Sequence, residues 1–241
     1  MLRHYTEWPI QIIIDESSLI KYQLLFRHLF KCKWVHKSLS ESCWKKLQRS
    51  KSFILHSSST DLLRSAFCLC HSMSHFLQTL QSFYQQQIVL PKFRELSEVL
   101  QKTNDVEKIL QAHSSYLDDL LEGFFIVQDP QLVSNLQNML NVANLFSSFV
   151  SDVVDSLPFE KLTLISNQPA SRDNKKKEVE EISFQISEML RTHSFEEKVS
   201  KFSHNWKVLK ESLQSLAEEK ILKNSTRNEI ILRVTLFLTQ I

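Results

Sequence analysis

Hydrophobic residues recur every three or four positions along most of this chain, which is the spacing of one face of an α-helix. The first such helix is predicted to begin at Asp15 or Ser17, because either side chain can cap a helix N-terminus. A short extended segment over residues 10–14 is predicted to precede it. We expect this helix to bury one apolar stripe, which contains Leu19, Tyr22, Leu25, Phe26, Leu29, Phe30 and Trp34.

The same periodicity predicts further helices over residues 61–89, 93–102, 106–124, 130–157, 178–191, 194–220 and 228–239. Pro91 is predicted to end or kink the helix over residues 61–89, because proline disfavours helical geometry in the residue before it. Residues 166–177, with the sequence SNQPASRDNKKK, are polar and lack any period. We therefore predict a loop or linker over residues 166–177.

The composition favours an all-α chain. It contains one glycine and five prolines in 241 residues, whereas sheets and hairpins rely on glycine in their turns. Hydrophobic residues make up 42 % of the chain and include 16 Phe, which is enough for a packed core. The prediction is a single all-α domain over residues 1–241, folded as a multi-helix bundle.

Charge and hydropathy disfavour two classes of partner. The 29 basic and 27 acidic residues give a net charge of +2, which provides no general attraction to nucleic acid. No apolar run approaches the ~20 residues of a transmembrane helix, and the first residues, MLRHYTEWPI, contain no apolar signal core. Four cysteines without a secretory signal indicate free thiols in a reducing compartment. We expect a cytoplasmic protein that binds neither nucleic acid nor membrane.

Two groups of residues superficially suggest chemistry. Cys68, Cys70, His71 and His75 lie close together in sequence. On one helix, however, Cys68 and Cys70 point about 160° apart, so the two thiols cannot bind one ion. His113 lies near Asp118 and Asp119, which would allow a general base. A hydrogen-bonded structural histidine is the favoured interpretation, because His113 falls on an apolar stripe.

The sequence contains no motif of a nucleotide-binding or hydrolytic site. Phosphate-binding loops need several glycines, and this chain has one. No G-x-S-x-G segment is present either. We predict that the protein is not an enzyme and uses no cofactor or metal.

Three separated blocks closely resemble the gamma-tubulin complex component family, the grip-motif proteins. The first is Trp8-Pro9 with the run YQLLFRHLFKCK at residues 22–33, where the family reads YQ-x-LFRH-x-F-x-CK. The second is the spacing of Phe67, Met73, Phe76, Leu80 and Tyr84. The third is NDVEKILQAHSSYLD at residues 104–118, which follows the family's acidic-Val-x-x-(Ile/Val)-Leu-x-x-His-x-x-(Phe/Tyr)-Leu-Asp pattern.

The resemblance is nearest to the component-two members and covers nearly the whole chain. It corresponds only to the C-terminal half of family members, so we expect a fragment, an isoform or a truncated gene model. Two segments depart from the family pattern. Residues 85–93 lack the family's acidic residues, and residues 233–237 replace its Arg-Leu-Asp-Phe-Asn signature.

The resemblance implies a helical domain that binds gamma-tubulin within the complex that templates microtubule nucleation at centrosomes or spindle poles. Other complex components would be further partners, contacted mainly through the N-terminal half. Because tubulins are acidic, we expect Arg27, Lys31 and Lys33 on the first helix to contribute to binding. The alternative is that these cations are only solvated and contact no partner. A helical adaptor or tethering domain with an unrelated protein partner is the alternative function.

Overall fold

The computed structural model describes residues 7–48, 59–124, 130–158 and 172–223, and every regular element in those ranges is helical. The predicted all-α class is thereby confirmed. The predicted helix over residues 228–239 and the departure at residues 233–237 lie outside the described residues. The α-helices with bounds are α1 Glu16–Ser38, α2 Ser59–Phe83, α3 Leu90–Lys102, α4 Val106–Gly123, α5 Pro130–Ser156, α6 Arg172–Thr192 and α7 Phe195–Lys223, and residues 45–48 are also α-helical.

The segment before α1 is a short helical turn, so the predicted extended segment over residues 10–14 is wrong. Ile10–Ile12 form a 3₁₀ turn in which the Ile13 N–H donates to the Ile10 carbonyl at 3.0 Å. An isolated strand would leave its backbone groups without partners, whereas a 3₁₀ turn satisfies them locally. The run of isoleucines favours a strand only where a neighbouring strand is available.

The chain continues in helical form through Pro91, which the sequence predicted to end or kink the helix. A π-helical turn, Tyr84–Val89, connects α2 to α3. In it the Leu90 N–H donates to the carbonyl of Gln85, five residues earlier. In a regular α-helix the proline ring would clash with the preceding turn, and the wider π-helical turn reduces this steric clash. The same turn exposes Gln85, Gln86 and Gln87, where the family pattern has acidic residues.

The loop predicted over residues 166–177 is wrong for its second half. Helix α6 begins at Arg172, so residues 172–177 are helical, while residues 166–171 lie outside the described residues. No glycine or proline follows Pro169 in this stretch. Arginine and lysine are good helix formers, so a helix without a long apolar period can still start here. A second π-helical turn, Leu39–Trp44, follows α1.

The described helices fall into two units. The first comprises Met1–Lys33, Leu77–Asn138 and Lys210–Ile241, and the second comprises Trp34–Phe76 and Met139–Leu209. The core of the first unit includes Leu25, Cys32, Leu80, Tyr84, Ile88, Leu117, Leu121 and Phe124. The core of the second includes Met73, Phe76, Leu140, Phe146, Val150, Ile186, Phe195 and Trp206. The single domain predicted over residues 1–241 stays a prediction.

Helix α1 buries a different face from the one predicted. Of the seven residues in the predicted stripe only Leu25 is buried, and Phe26 and Phe30 are each 56 % exposed. The buried face instead follows Ser18, Leu25 and Cys32, which are spaced seven residues apart. Apolar residues surround most of α1, so the hydrophobic period does not select one face. The polar contacts described next determine which side of α1 faces inward.

Candidate functional site

The N-terminus of α1 is fixed by a cap. The Ser18 backbone N–H donates to Asp15 Oδ1 at 2.8 Å, which confirms Asp15 as the predicted cap. Hydrogen bonding to Ser18 lowers the pKa of Asp15, so the carboxylate stays charged at the positive end of the helix dipole. The start of α1 is therefore well defined.

Three polar contacts attach the inner side of α1 to α4, and in one of them Lys21 Nζ donates to Ser114 Oγ at 3.3 Å. The Tyr22 hydroxyl and His113 Nε2 are 3.0 Å apart, and Lys21 Nζ lies 2.6 Å from Asp118 Oδ1. His113 is 7 % exposed, and burial lowers its pKa, so the neutral ring is favoured. The predicted structural role of His113 is confirmed. The two nearby carboxylates bind lysines, because Asp119 pairs with Lys92 at 3.0 Å.

A second set of contacts attaches the middle of α1 to the π-helical turn Tyr84–Val89. His28 Nε2 lies 3.0 Å from the buried Tyr84 hydroxyl. The ring of Tyr84 meets Phe124 edge-on at a centroid distance of 4.5 Å. Burial lowers the pKa of His28 to about 4, with a smaller contribution from the positive charge of Lys31. The imidazole is therefore neutral at pH 7, and its hydrogen bond to Tyr84 links α1 to the π-helical turn.

The outer side of α1 presents an aromatic pair. The rings of Phe26 and Phe30 stack with centroids 5.7 Å apart and an interplanar angle of 26°. Ile20 and Leu24 on the same helix are also exposed. At 100° per residue, Ile20 and Leu24 lie about 80° and 120° from Phe30 around the helix, so the aromatic pair alone forms this outer side. Stacked aromatic rings left exposed in this way are typical of interaction surfaces. The sequence missed this role, because aromatic residues at helical spacing usually belong to a core.

The predicted binding residues Arg27, Lys31 and Lys33, here termed the α1 cations, lie around this aromatic pair. Arg27 and Lys33 are exposed and Lys31 is half-buried. Arg27 comes three residues before Phe30 and Lys33 three residues after it, so they lie about 60° to either side. Arg27 and Lys33 are therefore separated by the aromatic pair, and only Arg27 and Lys31 share one edge.

The α1 cations have no carboxylate partners of their own among the described residues. None of the three forms an ion pair within the described ranges, whereas Lys21, Lys92 and Lys102 each bind a carboxylate. Unpaired cations beside exposed aromatic rings retain their positive field for an incoming anionic group. The outer face of α1 is thus an apolar centre with a positive edge on both sides.

The cysteines and histidines of α2 are not assembled into a site. Cys68 is exposed and Cys70 is buried, in agreement with their predicted opposite directions. All four cysteines are free thiols, as predicted. In the described part of the chain, no group of three or more His, Cys, Asp or Glu side chains is positioned to hold a metal ion. No described helix combines the length and hydrophobicity that a membrane crossing requires.

A sequence model of the gamma tubulin complex component C-terminal family matches residues 1–233. The chain belongs to this family. The resemblance inferred from the three sequence blocks is thereby confirmed. The all-helical architecture of the described residues fits this assignment.

Three relatives illustrate the family likeness. Gamma-tubulin complex component 2 of mouse is 27 % identical over 157 residues, which are 65 % of this chain and 17 % of the mouse protein. The Arabidopsis thaliana component 2 is 30 % identical over 155 residues, covering 64 % of this chain and 22 % of that protein. The Drosophila melanogaster component 2 homolog is 27 % identical over 198 residues, covering 81 % and 23 % of the two chains. The matched stretch therefore spans about a fifth of each relative.

Proposed function

We propose that this chain binds gamma-tubulin as a non-enzymatic component of the gamma-tubulin complex, which templates microtubule nucleation. The family assignment supports the proposal, and so do the names of the relatives, which identify them as gamma-tubulin complex components. Other components of the complex are further proposed partners. The place of action would be a microtubule-organising centre in the cytoplasm, the centrosome or spindle pole.

The observation that carries the binding role is the outer face of α1. It has an exposed, stacked aromatic pair at its centre and unpaired cations on both edges. Protein interfaces generally combine aromatic anchors that become buried with polar or charged residues at the rim. Tubulins are acidic, so the α1 cations would accelerate encounter and disfavour basic competitors.

The inner contacts of α1 suit it for this role. Tyr22, Lys21 and His28 attach one side of the helix to α4 and to the π-helical turn Tyr84–Val89. A helix held in this way presents its outer side chains with little backbone freedom to lose on binding. A partner surface that is already ordered binds at a lower entropic cost.

The proposal is tested by size-exclusion chromatography of the purified chain with purified gamma-tubulin, at low and at moderate salt. We expect a shifted peak that contains both proteins in equal amounts, and weaker association at the higher salt because the rim charges are then screened. A folded chain that elutes apart from gamma-tubulin at both salt concentrations would contradict the proposed function. Circular dichroism of the same sample establishes that the chain is folded.

A further inference from the structure

The outer face of α1 also indicates what kind of partner segment it accepts. Its apolar centre consists of Phe26 and Phe30, one helical turn apart, which places them about 6 Å from each other along the helix axis. Arg27 and Lys31 lie along one edge and Lys33 lies along the other. The pattern is thus an apolar ridge with positive charge on both flanks.

A ridge of this kind matches the surface of another helix. Side chains four residues apart on one helix pack into the grooves between side-chain rows on a second helix. In paired helices, charges that flank the apolar seam meet opposite charges on the partner, and these contacts select the partner and its register. The segment that complements α1 therefore has an apolar stripe bordered by carboxylates on both edges.

A partner strand fits this surface poorly. Strand addition requires an exposed sheet edge with free N–H and C=O groups. The backbone groups of α1 are bonded within the helix, so the helix offers an extended segment no backbone hydrogen bonds. Side-chain packing and charge pairing are what this face can provide, and an amphipathic helix uses both.

We infer that α1 packs side by side against an amphipathic helix of gamma-tubulin that carries acidic residues on both edges of its apolar stripe. This inference rests on the proposed function, since it takes gamma-tubulin as the partner. It adds the secondary structure, the charge pattern and the position of the partner segment. Phe26 and Phe30 bury against the apolar stripe, and the α1 cations pair with the flanking carboxylates.

Photocrosslinking tests the position and the secondary structure of the partner segment. Phe30 is replaced by p-benzoylphenylalanine, the complex with gamma-tubulin is irradiated, and the crosslinked segment is identified by mass spectrometry. Phe93 on α3 is the matched control, because it is 54 % exposed and Phe30 is 56 % exposed. We expect crosslinks from position 30 to an acidic helical segment, and few or none from position 93.

Single charge reversals test whether both edges take part. Arg27→Glu and Lys33→Glu are each expected to weaken gamma-tubulin binding by about threefold to tenfold, because each removes one rim attraction and adds one repulsion. Lys102→Glu, at an exposed lysine that already pairs with Glu98, is the control and should change binding less than twofold. A loss confined to one edge would contradict a segment that is acidic on both sides.

The remaining outcomes separate this inference from the proposed function. If the chain binds gamma-tubulin but position 30 crosslinks to a loop, to a strand or to nothing, the inference is overturned and the proposed function stands. If the unmodified chain does not bind gamma-tubulin, the proposed function itself fails. A basic, aromatic helix can also bind anionic lipid. Co-sedimentation with phosphatidylserine vesicles that depends on Phe26 and Phe30 would therefore overturn the inference in favour of a membrane surface.

Discussion

Acid should weaken the fold by protonating His28, the residue that attaches the middle of α1 to the π-helical turn Tyr84–Val89. The pKa of His28 is about 4 in the folded chain, mainly because burial disfavours the charged ring, and its ordinary value is 6.5. The unfolded chain therefore binds a proton more readily between these two pH values. By linkage, stability is fully present above about pH 6.5 and falls as the pH drops through about 4.

The size of this effect follows from the two pKa values. They differ by about 2.5, and one pKa unit corresponds to about 1.4 kcal/mol. Protonation of His28 should thus remove about 3 kcal/mol of unfolding free energy, which is a large part of the 5–15 kcal/mol typical of a domain. Burial lowers the pKa of His113 as well, so both histidines destabilise the fold in acid and a variant is needed to separate them.

The assay is urea unfolding followed by circular dichroism at a series of pH values, for the natural chain and for His28→Gln. Glutamine keeps a hydrogen-bonding group near the Tyr84 hydroxyl but does not titrate. We predict that the stability difference between the two proteins changes by about 3 kcal/mol from neutral pH to pH 4, with the natural chain losing more. Parallel stability curves across this range would refute the reasoning.

Three further sets of substitutions test packing and backbone geometry, and urea unfolding measures each of them. Gly123→Ala should destabilise the fold by about 1–3 kcal/mol, because the new Cβ would lie 2.6 Å from Cγ2 of the buried Ile88. The same substitution in an Ile88→Ala background should cost less, because the clashing atoms are gone, and equal costs in both backgrounds would refute the explanation. Ser194 has a φ of 48°, in the left-handed region that glycine adopts without strain. Ser194→Gly should therefore stabilise the fold by up to about 1 kcal/mol and Ser194→Ala should not, and equal effects of the two substitutions would exclude backbone strain as the cause. Leu25→Ser should lower the free energy of unfolding by more than about 2 kcal/mol and Phe30→Ser by less than about 0.5 kcal/mol, because only Leu25 is buried. The reverse order would show that Phe30, and not Leu25, lies on the buried side of α1.

Local signals in the sequence predicted the helices well where one physical cause dominates. Asp15 caps α1 as expected, because its short carboxylate can accept a hydrogen bond from a free backbone N–H in the first turn of the helix. His113 is a buried hydrogen-bonded residue, as its place on an apolar stripe suggested. The scarcity of glycine correctly predicted the all-α class.

The buried face of α1 was not predictable from hydrophobicity alone. Phe26 and Phe30 are larger and more apolar than Ser18 and Cys32, yet the two small residues lie inside. Tertiary contacts determine which face of α1 is buried, since Tyr22 forms a hydrogen bond with His113 on the inner side of the helix. A sequence signal did exist, because a helix with apolar residues on most of its circumference must expose some of them or cover them with a partner.

The path of the chain at Pro91 also depended on tertiary context. Proline excludes a regular α-helix at that point, but it does not determine whether the chain stops, kinks or widens. Here the chain widens into a π-helical turn that buries Tyr84 and Ile88, and these side chains pack in the core of their unit. The burial of two large residues favours continuation over a break.

The most direct test of the central claim compares two triple charge reversals in gamma-tubulin binding. One variant converts the α1 cations, Arg27, Lys31 and Lys33, to glutamate, and the control converts Lys102, Lys108 and Lys201, which are exposed and already paired with neighbouring carboxylates. Both variants change the net charge by the same amount, so long-range repulsion is matched. We predict that the first variant weakens binding by roughly tenfold to hundredfold and loses most of its salt dependence, whereas the control stays within about threefold of the natural chain. Equal binding by the two variants would contradict the assignment of gamma-tubulin to the outer face of α1.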